Sequence, residues 1–216
     1  MKILPYLFLL SLLTACGPSV QEKKVAVDTA FADYQKLPAD SSAQKLLTTL
    51  ADYTGSKASI EDKNITADTV LKYIAKNMFN DSTFRLNEPR AKLYIDAVEA
   101  AVKAEPALTK APEYIHHAAE TARTLRDIPK AIELYDWIIA TYPAHPRAAT
   151  SLFLKAFTYD NDLKDFDKAG VYYKDYLAKY PNNEFSESAK FLLDNLGKSE
   201  EELKKMLEEK AKENVQ

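Results

Sequence analysis

Two stretches of the chain, KAIELYDWIIATYP at residues 130–143 and KAGVYYKDYLAKYP at residues 168–181, are two copies of one pattern. The offset is 38, and six of fourteen aligned positions are identical: Lys130/Lys168, Ala131/Ala169, Tyr135/Tyr173, Ala140/Ala178, Tyr142/Tyr180 and Pro143/Pro181. Average residue usage would give roughly one match. An alanine four residues before a tyrosine has a physical meaning on a helix. The small side chain lets a partner helix approach, the ring one turn later fills the gap between layers, and the closing proline ends the helix so that another can begin. Ile128, Ala131, Ile132, Tyr135, Ile138, Ile139 and Tyr142 form an almost continuous apolar stripe, while Leu134 and Trp137 form a second on another side. A helix with two apolar sides is expected between two neighbours.

Outward from this pair the periodicity is helical nearly everywhere, and no segment alternates for long as a strand does. Pro112 opens one helix, Asp127 with Pro129 the next, and Pro146 another. Residues 160–167 hold about one extra residue between two helices. Upstream, Val27, Ala30, Phe31, Tyr34 and Leu37 mark a first helix stopped by Pro38. Leu46, Leu47, Leu50 and Tyr53 mark a second ended near Gly55, and Val70, Leu71, Ile74 and Met78 a third. A fourth starts at the N-cap Asn87 with Pro89 in its first turn and runs to about Glu105. Downstream, Leu192, Leu193 and Leu196 belong to a helix closed by Gly197, and Ser199 with Glu202 forms a capping box for a last helix carrying Leu203, Met206 and Leu207. The expected division is helical pairs over 25–111, two clear repeat units over 112–182, and capping helices over 183–216.

Composition agrees. Only 4 of 216 residues are glycine, where average usage gives about fifteen, so folds rich in tight positive-φ turns are disfavoured. The glycines are too dispersed for a G-x-G-x-x-G or G-x-x-x-x-G-K phosphate loop. A net charge of -3 supplies no basic field for nucleic acid.

The repeated unit resembles the tetratricopeptide repeat, a helix-turn-helix of about 34 residues whose second helix carries A-x3-F and a terminal proline. Ala131, Tyr135 and Pro143 match that step in the first unit, and Ala169, Tyr173 and Pro181 in the second. Ile115, Ala118, Ala119 and Ala122 stand for the first-helix pattern of the first unit, and Leu152, Ala156 and Tyr159 for that of the second. The resemblance implies an all-α fold of antiparallel helical hairpins stacked as a short right-handed solenoid, with flanking pairs as degenerate or capping repeats.

The N-terminus carries a second resemblance. Lys2 precedes an apolar run over 3–13, then Thr14 and Ala15, then Cys16, the sole cysteine. Charged, apolar and small residues follow in the order of a secretory signal, and the run is too short to span a bilayer, which takes about twenty residues. Leu13, Thr14, Ala15 and Cys16 resemble the bacterial lipobox, whose members are acylated on the cysteine and cleaved before it. The alternative is a buried N-terminal helix with an incidental thiol. The lipobox resemblance implies removal of residues 1–15, a membrane anchor through Cys16, and a polar tether over 16–24. Gly17, where an aspartate would favour inner-membrane retention, points to the outer membrane. Together the features are similar to envelope tetratricopeptide lipoproteins such as the lipoprotein subunit of the β-barrel assembly machinery.

Catalytic motifs are lacking. No H-E-x-x-H or G-x-S-x-G can be written, and His116 and His117, adjacent on a helix, project about 100° apart. Asp160, Asp162, Asp165 and Asp167 resemble a calcium loop only superficially, lacking its glycine and closing glutamate; a loop with an N-cap is the expected reading. No cofactor and no metal site are expected. The expectation is a non-enzymatic scaffold binding a protein or peptide on the concave face lined by first helices, with His116, Glu120, Arg123, Phe153 and Phe157 as groove residues. A lipoprotein that binds a small nutrient or cell-wall fragment is the alternative.

Overall fold

A computed structural model describes residues 17–79, 85–199, 201–202 and 204–205. Among them the chain is all-helical, with 76% helix and no strand. The helices are α1 (Val20–Lys36), α2 (Asp40–Thr54), α3 (Ile60–Lys76), α4 (Glu88–Ala104), α5 (Ala111–Thr124), α6 (Ile128–Thr141), α7 (Pro146–Phe157), α8 (Phe166–Lys179) and α9 (Ser186–Asp194), with a π-helical turn at Thr158–Asp162 continuing α7.

Their ends lie where local chemistry sets them. Ser19, Ser59, Asn87, Asp127, His145 and Asp165 each accept a backbone N–H of the first turn through the side chain. Proline opens α4, α5, α6 and α7, where its missing N–H costs nothing. Ser199 and Glu202 form the expected capping box, the Glu202 carboxylate accepting from Ser199 N at 2.7 Å. The leucines and methionine expected on that last helix lie outside the described residues.

Two expectations need correction. The stretch expected to be a tether through residue 24 is helical from Val20, because Ser19 and Glu22 form a capping box that starts α1 there. The second unit carries three extra residues rather than one. Its second helix starts 38 residues after that of the first unit, at Phe166 against Ile128, while its first helix starts 35 after, at Pro146 against Ala111. The π-helical turn absorbs the insertion within the helix, so the turn that follows keeps its geometry.

Consecutive helices pack as neighbours throughout, most lightly between α2 and α3; α2 packs mainly on α1 and α4, and α5 also touches α7. One core runs from α1 through α6, centred on Leu46, Leu50, Leu71, Ile74, Ile115, Leu134, Tyr135 and Ile138. A second joins α7, α8 and α9 around Leu152, Ala156, Tyr173, Tyr176 and Ala189. Gly170 lets the chain after α9 approach α8: a Cβ there would lie 3.2 Å from Leu196 Cδ1. Two lysines buried between helices are paired, Lys63 with Glu105 at 2.6 Å and Lys155 with Asp136, with Tyr172 offering its ring 4.0 Å from the Lys155 ammonium.

Candidate functional site

Helix α5 is nearly enclosed. Its alanines 118, 119 and 122 have no exposure, which lets α4, α6 and α7 come close. What it leaves open faces α3 on one side and the end of α7 on the other.

Toward α3, Asp68 collects three donors. Tyr114 Oη donates at 2.7 Å, Lys110 Nζ at 2.8 Å and Lys72 Nζ at 2.7 Å. Burial opposes the Asp68 charge, but these donors outweigh it and hold its carboxyl down at about 2. Burial, reinforced by Asp68, pushes the Tyr114 phenol up. Asn64 adds a reciprocal pair with Thr109, accepting from its N–H at 2.8 Å and donating to its hydroxyl at 3.0 Å. Behind this row lies a cleft of about 280 Å³ between α3, α4 and α5.

Toward the end of α7, Asp162, whose side chain is only 5% exposed, accepts from Arg123 Nε and from Arg126 Nη1 at 3.3 Å. The Arg123 guanidinium lies 5.0 Å from the Phe157 ring centre. Glu120, Arg123, Arg126 and Asp162 line a polar cleft of about 390 Å³. Of the groove residues expected from sequence, Glu120, Arg123 and Phe157 thus come together at the α5–α7 junction.

The other two are corrected. His116 is 3% exposed; its Nε2 lies 3.5 Å from Glu120 Oε2 and its Nδ1 has no partner. Burial, then the charges of Arg147 and His117, pushes its imidazole down to about 4. The neighbouring His117, with a side chain 62% exposed, takes the open face instead. Phe153 is 8% exposed and belongs to the second core. It stacks on Phe185, just before α9, with ring centres 4.8 Å apart, and meets Tyr176 edge-on at 5.7 Å. Cys16, the expected lipid attachment, lies outside the described residues.

Sequence reasoning passed over Asp68, Lys110, Tyr114 and Asp162. Only Asp162 carried a signal, as one of four aspartates in residues 160–167; Asp165 of that group is the N-cap expected there, accepting from Lys168 N at 3.1 Å. Among the described residues no three His, Cys, Asp or Glu side chains gather so as to hold a metal ion. Nor is any described helix long and apolar enough to cross a membrane. No family model matches the chain, and a search of curated proteins finds no match.

Proposed function

We propose that the chain is a non-enzymatic, lipid-anchored scaffold of the bacterial cell envelope, built from tetratricopeptide-type hairpins and holding a protein or peptide segment along the face of α3, α5 and α7. The observation that carries this reading is the equivalence of the hairpins α5–α6 and α7–α8. Each turns through a left-handed residue, Arg126 at φ 63° and Lys164 at φ 54°. Each then starts its second helix on an aspartate cap and buries the same alanine and tyrosine completely, Ala131 with Tyr135 and Ala169 with Tyr173. Contact between α5 and α7, the first helices, is what stacking of such hairpins requires. The lipobox resemblance at Cys16 supplies the anchor and the outer-membrane expectation. The exposed polar side chains His117, Glu120 and Thr124 along α5 offer a row for recognition.

Site-specific photo-crosslinking in cells tests this. A crosslinker at His117, Glu120 or Thr124 should capture one discrete protein, and one at Val171, exposed on α8, should not. Absence of adducts from all three α5 positions, with the chain expressed and a working control crosslink, rejects the scaffold reading.

A further inference from the structure

The cleft between α3, α4 and α5 has an apolar wall, formed by Leu71, Ala75 and Met78 on the α3 side and by the ring of Tyr94 on α4. Its volume is about 280 Å³, and a dry apolar cavity of about 150 Å³ already takes a benzene-sized guest. Tyr94 is only 3% exposed. Its hydroxyl makes no hydrogen bond to a described residue, yet it is not sealed in the packing as the equally unpartnered hydroxyl of Tyr135 is, and the cleft is where it opens. Burial pushes the phenol up, so it stays a neutral O–H donor. A purely apolar guest would strip this hydroxyl of water without replacing the bond, so a well-fitting guest carries a polar group.

The mouth of the cleft decides which polar group. Asp68 already accepts from Tyr114, Lys72 and Lys110. Glu113 turns Oε1 toward His145 Nε2, 3.4 Å away, and its Oε2 is sealed from solvent, so neither oxygen serves a guest. His117 faces Glu120 instead, at 3.9 Å. Lys72 and Lys110 have side chains 66% and 50% exposed, and each spends one of its three ammonium N–H groups on Asp68. The Tyr94 hydroxyl lies toward the same mouth, close enough that a charge on it is felt by the Tyr114 phenol bonded to Asp68. What a guest can reach is therefore a set of donors, two ammoniums sharing one carboxylate and a phenol. An ammonium guest would find no open acceptor, whereas a carboxylate meets charge-assisted donors.

We propose that this cleft binds a small carboxylic acid in its ionised form, on an aromatic or branched aliphatic body. The carboxylate accepts from Tyr94 Oη and from the lysine pair at the mouth, and the body lies against Leu71, Ala75 and Met78. The site is independent of the scaffold reading, because it uses a cavity and its own donors rather than the open face.

Calorimetric titration of the chain tests it with 3-phenylpropanoate and 4-methylpentanoate as probes, against 3-phenylpropan-1-ol, 3-phenylpropylamine and an acetyl-Ala-Ala-Phe peptide with a free terminal carboxylate. At least one acid should saturate, about tenfold or more tightly than the alcohol, with no binding of the amine. Tyr94→Phe removes a hydroxyl that no protein group uses, so it should fold normally while weakening the acid by about tenfold. Ala75→Leu, which fills the cleft, should abolish binding with unchanged helical circular dichroism. If Ala75→Leu fails to fold, the Tyr94→Phe result and the acid-to-alcohol ratio decide. No acid binding, equal binding of the alcohol or the amine, an unchanged affinity in Tyr94→Phe, or binding that survives in a folded Ala75→Leu variant overturns the proposal. Tighter binding of the peptide than of either acid also overturns it, since the ligand would then be a partner's chain terminus.

Discussion

Arg126 and Lys164, 38 residues apart, both hold the left-handed backbone conformation, at φ 63° and 54°, and each passes the chain directly to an aspartate cap. That conformation costs an L-residue about 1–2 kcal/mol. Its recurrence at equivalent positions shows that the turn, not the side chain, is what the two hairpins share.

Glycine at the exposed Lys164 should therefore stabilise the fold. Relief of the left-handed strain exceeds the entropy glycine adds to the unfolded chain, leaving a gain of about 0.5–1 kcal/mol. Asp165→Ala, which removes the cap of α8, should cost about 1 kcal/mol. Urea denaturation of both variants measures the two effects, and a destabilised Lys164→Gly would mean the turn is not strained.

The Asp162 carboxylate links the end of α7 to Arg123 and Arg126, yet its two bonds should differ in weight. Asp162→Ala should cost about 2 kcal/mol, because it strips a half-buried guanidinium of a charge-assisted bond. Arg126 is 80% exposed on its side chain, so Arg126→Ala should cost under about 1 kcal/mol. Equal costs in a denaturation series would refute this ranking.

Burial keeps His116 neutral, and the sign of its pH effect follows. With its folded value pushed down to about 4 from an ordinary 6.5, the unfolded chain binds the proton first. The stability due to this group is complete above pH 6.5 and is lost as pH falls from there toward 4, by on the order of 3 kcal/mol. Asp68, held at about 2, adds a smaller loss only below about pH 4. His116→Leu should flatten the slope between pH 6.5 and 4, which unfolding midpoints across that range would reveal.

Cys16→Ala should abolish metabolic labelling with a fatty acid and move the chain from the membrane to the soluble fraction. Labelling that persists in the variant would remove the lipobox reading and, with it, the envelope assignment.

Most helix positions were legible because their causes are local. Asn87, Asp127, Pro112 and Pro146 act within one turn of themselves, and helical spacing puts Ala131 and Tyr135 on one apolar stripe, where both are fully buried. The candidate site was only half legible. His116 and His117 differ by about 100° of rotation on one helix, and which is buried depends on how α4, α6 and α7 close around α5. Phe153 and Phe157 share a face, and it is the rings of Tyr173 and Tyr176 on α8 and of Phe185, just before α9, that make the first a core residue.

The sequence by itself determined an all-helical chain, most of its helix ends and the repeated Ala-x3-Tyr pattern, because capping and periodicity operate over three to five residues. Tertiary structure alone decided which polar groups meet. The bond from Tyr114 to Asp68 spans 46 residues and that from Arg123 to Asp162 spans 39. Such pairings depend on how helices cross and on the three residues absorbed at the end of α7, and no local rule encodes either.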